Sequence, residues 1–429
     1  MREFRRLHSD TQPDTSPAMG ERLWTPHPMP QIEPRTPRPI LTGHVLAGLL
    51  AVMLLFAATV VRGQEIDGYL ADVRAEYGLP ALAAAVVQDG AIVAAAAVGT
   101  RILGGTQPVA ITDRFHIGSN TKSMTATLAG MMVDEGKLRW DSTVGEVLGD
   151  DVPGMSASLA AASLEQLLSH SSGIPSDNEQ ILDLYFSADA FDYNLTDLRH
   201  RLLDQWKTTE IERPQGSPFQ YSNLGYVIAG MMIQKVAGKP WEQLMHDRIF
   251  SPLDMQTAGL GPQATYGLID APVGHRIGPD GTVIPMLWGP AADMPQVIAP
   301  AGNAHMSILD YAKWAGWNAG KGTRGPALVT PQTLTHIQSV KVDTPVRKNP
   351  PPGTPGTGSY GLGWGIVTFD WADGPLLTHN GSNSMNLARI VVDPTLDLAI
   401  IVATNFPGAQ ANAATGSVLQ HLYTVYSAK

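Results

Sequence analysis

The chain has 429 residues, 44% of them hydrophobic and 16% charged, enough for a large buried core in one or two domains. Its net charge of −10 argues against a nucleic-acid partner, which needs a basic surface. With no cysteine present, thiol catalysis, Cys-ligated zinc and disulfides are all excluded.

Residues 1–44 are rich in proline and carry no apolar period, so they read as a disordered N-terminal segment. The run 45–61, VLAGLLAVMLLFAATVV, holds no charge; Arg35 and Arg38 precede it, and Val61-Arg62-Gly63 offers a cleavage point before Gln64. Residues 45–63 therefore read as a secretory signal peptide or, since the run nears the length of a membrane span, as an anchor. The remaining chain, 64–429, is expected to be exported to a periplasmic or extracellular site. The alternative is attachment to the inner membrane through 45–61.

In 64–429 the spacing predicts a helix over 66–77, closed by Gly78. LAAAVVQ and AIVAAAAVG then flank Asp89-Gly90, a strong hairpin signal. Helical patterns cover 120–135, 163–169, 222–236 and 240–248, and the Pro/Gly-rich stretch 342–359 reads as a loop flanking a cleft. MNLARIVVD and LDLAIIVATN form a second hairpin-like pair before a helical tail over 409–427. Strands at both ends with helices between them predict an α/β (α+β) fold. Its antiparallel sheet is built from both chain ends and flanked by helices, with an inserted, mainly helical subdomain within about 125–300.

Three short motifs carry possible chemistry. Ser119-Asn120-Thr121-Lys122 opens a helical pattern, so Ser119 and Lys122 share a face one turn apart. A serine hydroxyl needs a base, and a lysine serves only if burial or nearby cations depress its pKa. The helix start also offers free N–H groups to an oxyanion. The plain alternative is a capping serine beside a solvated lysine. Tyr221-Ser222-Asn223 opens a second helix; a phenol near two cations could titrate close to neutrality and relay a proton, and the amide could orient Lys and substrate. By itself it reads equally as an aromatic anchor with a helix cap. His379-Asn380-Gly381-Ser382 leads into a late strand, where Gly381 allows close backbone approach, His379 could assist the leaving group, and the Ser382 N–H could complete an oxyanion hole. Its plain reading is a strand-end histidine in a turn.

Together the three motifs resemble the β-lactamase-related serine hydrolases of the class C type, which also include DD-peptidases, D-aminopeptidases and family VIII esterases. FHIGSNTK, SLEQLLSHSSGIP, FQYSNLGYVIAG, IAPAGNAHMSILDYAKW and YGLGWGI are similar to the same family, over about residues 66–425. The resemblance implies a β-lactamase/transpeptidase-like fold and an acyl-enzyme at Ser119, with Lys122 and Tyr221 managing the proton as a unit. It implies that Asn223 orients lysine and substrate, and that the Ser119 and Ser382 N–H groups hold the oxyanion. The Lys that often starts the third motif is here His379, which weakens recognition of an anionic group. That ranks ester or D-amino-acid amide hydrolysis first, DD-carboxypeptidase or penicillin-binding protein second and β-lactamase third. A non-catalytic sensor of peptidoglycan or β-lactams is the reading of another class.

Ser176-Asp177-Asn178 stands where class A enzymes carry Ser-Asp-Asn, but Glu212 lacks their loop motif and no Lys-Thr-Gly exists, so turn chemistry explains it better. His116 and His170 read as structural. The aromatics Tyr185, Phe186, Phe191 and Tyr193 either roof the cleft or fill the subdomain's core. No metal or cofactor motif is present, so the expected partner is a small molecule or short peptide.

Overall fold

The computed structural model describes residues 66–187, 192–211, 219–287, 289–350 and 354–428. The segments 1–44 and 45–63 lie outside these, as do Phe191 and Glu212. Residues 66–76 form α1, and Gly78 follows with φ of 63°, the left-handed close that glycine permits. Strands β1 (Ala81–Gln88) and β2 (Ala91–Gly99) are joined by Asp89 and Gly90, both at positive φ, as a two-residue hairpin turn requires.

Short strands come next: β3 (Arg114–His116), β4 (Gly259–Leu260), β5 (His275–Ile277), β6 (Val283–Pro285) and β7 (Ala304–Ser307). Later come β8 (Val342–Asp343), β9 (Ser359–Tyr360), β10 (Gly365–Thr368), β11 (Pro375–Ser382), β12 (Leu387–Asp393) and β13 (Leu398–Thr404). Among the described residues the main sheet has eight strands in the order β2-β1-β13-β12-β11-β10-β9-β8. The antiparallel pairing of β1 with β13, Leu82 opposite Thr404 and Gln88 opposite Leu398, joins the two chain ends.

The sheet is buried on both faces because its central strands β1, β12 and β13 are mostly apolar. Leu82, Ala84 and Val86 of β1 turn to one side, against Leu70 of α1 and Val418 of the C-terminal helix; Ala81, Ala83 and Ala85 turn to the other. The helices between are α2 (Thr121–Asp134), α3 (Val144–Leu148), α4 (Ala157–Ala160), α5 (Leu164–Leu168), α6 (Glu179–Tyr185), α7 (Leu195–Trp206), α8 (Asn223–Ala237), α9 (Trp241–Met245), α10 (Ala299–Gly302), α11 (Ile308–Ala319) and α12 (Pro331–Gln338), and α13 (Gly408–Ser427) closes the chain. Small side chains let α11 lie close on the sheet: a Cβ on Gly316 would stand 2.9 Å from Val87.

Helices α2 and α8 are buried on nearly every side; α8 is apolar nearly all round, whereas α2 also buries Thr121, Lys122, Ser123, Thr125 and Thr127. Local signals fix their starts; Ser222 caps α8 by accepting the Gly225 N–H at 3.1 Å. Within the mainly helical region 125–300 also lie the short strands β4, β5 and β6, too short to show an alternating pattern. One expectation changes. The predicted helix 240–248 ends as α9 at Met245 and runs on as a π turn over His246–Phe250.

Candidate active site

At Gly118, with φ of 51°, the chain turns through a short 3-10 segment into α2, so Ser119 stands at the mouth of that helix. Strand β11 presses on this turn. A Cβ on Gly118 would lie 2.4 Å from the Ser382 nitrogen, and one on Gly381 1.9 Å from the Ile117 oxygen, so both positions require glycine. The Ser382 N–H is thereby brought against the turn that carries the Ser119 N–H.

Lys122, one turn after Ser119, is completely buried. Its Nζ lies 3.1 Å from Ser119 Oγ, 2.7 Å from Asn223 Oδ1 and 2.8 Å from the Ala301 carbonyl oxygen. Burial lowers its pKa to about 7, with the Asp177 carboxylate opposing part of the fall. The Tyr221 phenol lies beside the Ser119 side chain, and Lys122 Nζ stands 4.7 Å from the centre of the Tyr221 ring. The three side chains thus converge as the motif spacing implied.

The phenol does not titrate near neutrality. Burial raises the Tyr221 pKa above its ordinary value, and the nearby Ser119 side chain offsets only part of this. The neighbouring cations assumed from sequence are largely missing: Lys122 is itself depressed, and His379 is neutral. Burial first and the Lys122 charge second hold His379 at about 3. Its Nδ1 must donate to the Asn380 carbonyl oxygen at 2.9 Å, which leaves Nε2 to accept from the Tyr360 hydroxyl, also at 2.9 Å. Both nitrogens are therefore occupied, against the expectation that His379 assists a leaving group.

Sequence reasoning passed over Asp177. Its Oδ2 accepts from Asn223 Nδ2 at 2.6 Å, so one amide links this carboxylate to the Lys122 amine, while Ser176 Oγ donates to the Tyr221 carbonyl oxygen at 2.6 Å. The stretch Ser176-Asp177-Asn178 is thus part of the site's frame. The structural reading of His170 holds: its Nδ1 accepts the Ser222 N–H at 3.0 Å, and its ring centre lies 4.2 Å from that of Tyr221. Of the described aromatics in that segment, Tyr185 is buried in the subdomain core, and Phe186 and Tyr193 are exposed.

Beside Tyr221 and His379 opens a cavity of about 340 Å³, bounded by Thr344, residues 354–358, Phe219, Tyr360 and Phe369; of the stretch 342–359 read as a loop, the ends pair as β8 and the start of β9. Arg347 and Arg389 also line it. Arg389 is buried, donating to Asn380 Oδ1 at 3.0 Å and Thr354 Oγ1 at 3.3 Å; burial lowers its pKa to about 10.

The beta-lactamase family profile matches residues 66–423. An unguisins hydrolase of Aspergillus campestris is 27% identical over 314 residues, covering 71% of this chain but only 54% of that protein's length. Penicillin-binding protein 4 of Amycolatopsis lactamdurans is 27% identical over 342 residues, 77% of this chain and 82% of that one. Among solved structures, the octameric penicillin-binding protein homologue from Pyrococcus abyssi superposes with a TM-score of 0.66 at 24% identity, covering 84% of this chain and 77% of its own. D-amino acid amidase from Ochrobactrum anthropi SV3 gives 0.65 at 20% identity, over 87% and 99%. At such identities the structural likeness is one of fold. The profile, which runs through all three motifs, decides the family: this chain belongs to the beta-lactamase family of serine hydrolases.

Proposed function

We propose that the chain hydrolyses an ester or a D-amino-acid type amide through an acyl-enzyme on Ser119, with Lys122 as the base. The hydrogen bonding of Lys122 Nζ carries this reading. A neutral amine has two N–H donors and one lone pair. Asn223 Oδ1 and the Ala301 oxygen, at 2.7 and 2.8 Å, take the donors and leave the lone pair for the Ser119 hydroxyl. A pKa of about 7 keeps that neutral form well populated at physiological pH.

Ser119 Oγ attacks the carbonyl carbon as Lys122 takes its proton, and the oxyanion rests between the Ser119 and Ser382 N–H groups. Tyr221, protonated at neutral pH, gives its proton to the departing oxygen or nitrogen and recovers one from Lys122. Water then attacks the acyl carbon and gives its proton to Lys122, which passes it to Ser119 Oγ as the acyl bond breaks and the acid product leaves. Export through 45–61 belongs to the same proposal; among the described residues no helix is long and apolar enough to cross a membrane.

A second reading, cleavage of a peptide that ends in a free carboxylate, is favoured by the cavity beside His379. Arg347 and Arg389 provide there the positive charge that His379 lacks. Mapping of a fluorophosphonate adduct tests the chemistry: the label is expected on Ser119 and absent from Ser119→Ala, and a folded wild-type protein that takes no label overturns it. Turnover of p-nitrophenyl esters, D-amino-acid anilides and nitrocefin then separates the substrate readings.

A further inference from the structure

Both N–H groups assigned to the oxyanion belong to turns that are held from behind by one carboxylate, that of Asp293. This residue is 5% exposed. Its Oδ1 lies 3.0 Å from His116 Nε2 and accepts from Asn383 Nδ2 at 2.9 Å and from the Met294 N–H at 2.7 Å; its Oδ2 meets Asn303 Nδ2 at 3.4 Å. On one side, His116 Nδ1 accepts the Gly118 N–H at 3.1 Å, which pins the left-handed glycine directly before Ser119. Because that nitrogen accepts, the His116 proton sits on Nε2, which touches the Asp293 carboxylate at 3.0 Å without the alignment of a hydrogen bond. On the other side, Asn383 immediately follows Ser382, and its Oδ1 accepts the N–H groups of Met385 and Asn386 at 3.2 and 3.0 Å. That turn holds Ser384 at φ of 67°, a conformation a serine keeps only when its surroundings enforce it.

We infer that Asp293 is a positioning residue that fixes the two halves of the oxyanion hole relative to each other, through His116 on the nucleophile's turn and Asn383 on the strand's end. The inference rests on the acyl-enzyme proposal but concerns residues that lie outside its three motifs. An oxyanion hole acts only on the transition state, and a displacement of about 1 Å costs on the order of a hundredfold in rate.

The test uses Asp293→Asn and Asn383→Ala, singly and together, in the full chain. Asp293→Asn keeps the volume, removes the charge that holds the His116 and Asn383 contacts, and sets an N–H against the Asn303 amide, already a donor. Each single variant is expected to lower kcat and the rate of fluorophosphonate labelling by about 10- to 100-fold, with KM near wild type. The double variant should lose little more than the worse single one, because both act through one carboxylate. A folded Asn383→Ala protein labelled at the wild-type rate overturns the inference even if Asp293→Asn fails to fold. Losses that multiply in the double variant overturn it too, since the halves would then be held independently. A wild-type protein that takes no label would instead remove the acyl-enzyme proposal itself.

Discussion

Lys122 and His379 both lie near Tyr221 and have undergone the same physical treatment with opposite results. Both are buried, and burial is the main force lowering the pKa of each. Lysine starts at 10.5 and arrives at about 7; histidine starts at 6.5 and arrives at about 3. Desolvation therefore makes a working base of the stronger base and a fixed neutral dipole of the weaker one. The hydrogen bonds follow the same division. Lys122 has acceptors for two protons and a lone pair left for Ser119, whereas His379 has both nitrogens committed to Asn380 and Tyr360. On the proposed mechanism, which nitrogen does chemistry follows from its intrinsic basicity, not from its closeness to the cleft.

The sharpest way to break this contrast is to remove the lysine. Lys122→Met should leave the fold intact, as an apolar side chain suits a buried site, and slow acylation by about 10³- to 10⁴-fold, the upper range for loss of a general base. Labelling rates measure it, and a loss within tenfold would mean that another group takes the serine proton. The wild-type pH profile gives the sign. The base works when neutral, so kcat/KM should rise with pH through about 7, where Lys122 loses its proton. A flat profile across that interval would contradict the assignment.

Tyr221→Phe should cost less, about 10²- to 10³-fold on an anilide, because the amine that leaves needs a proton. A p-nitrophenyl ester, whose leaving group departs as a stable anion, should lose much less. Equal losses on the two substrates would move Tyr221 from acid to base, against the raised pKa of its hydroxyl.

The sheet and the three motifs were legible because local rules write them. A two-residue turn at Asp89-Gly90, a cap at Ser222 and a lysine one turn after a serine are all set within a few residues of chain. Asp177 and Asp293 were not legible. Each acts through a contact with a distant residue, Asn223 in one case and His116 and Asn383 in the other, and neither stands in a pattern of its own. Asp177 was set aside as turn chemistry because its tripeptide was weighed as a class A motif, whereas here it is the middle carboxylate alone that reaches the site. The pKa of Tyr221 was missed for a related reason: a sequence shows which cations exist, but not which of them burial has discharged.

Asp177 offers a smaller adjustment of the Lys122 side. Its carboxylate raises the Lys122 pKa against the dominant effect of burial, so Asp177→Asn should move the rising limb of the profile to lower pH. The amide can still accept from Asn223, and the loss in rate at the plateau should stay within about tenfold. A limb that moves upward or stays in place would show that the carboxylate acts on Asn223 only as a mechanical support.

The smallest effect is expected on the His379 side, and it is the most telling for the contrast. Glutamine at 379 is neutral and can keep an acceptor near the Tyr360 hydroxyl. If the imidazole is a fixed dipole with no titration near neutrality, His379→Gln should change ester turnover by no more than about threefold and leave the limb near pH 7 in place. Lysine at the same position is the opposing control. A second cation beside Lys122 disfavours its charged form, so His379→Lys should carry the limb to lower pH and improve substrates that bear a carboxylate. If glutamine abolishes the limb, the titrating base was the histidine, and the division of labour between the two nitrogens runs the other way.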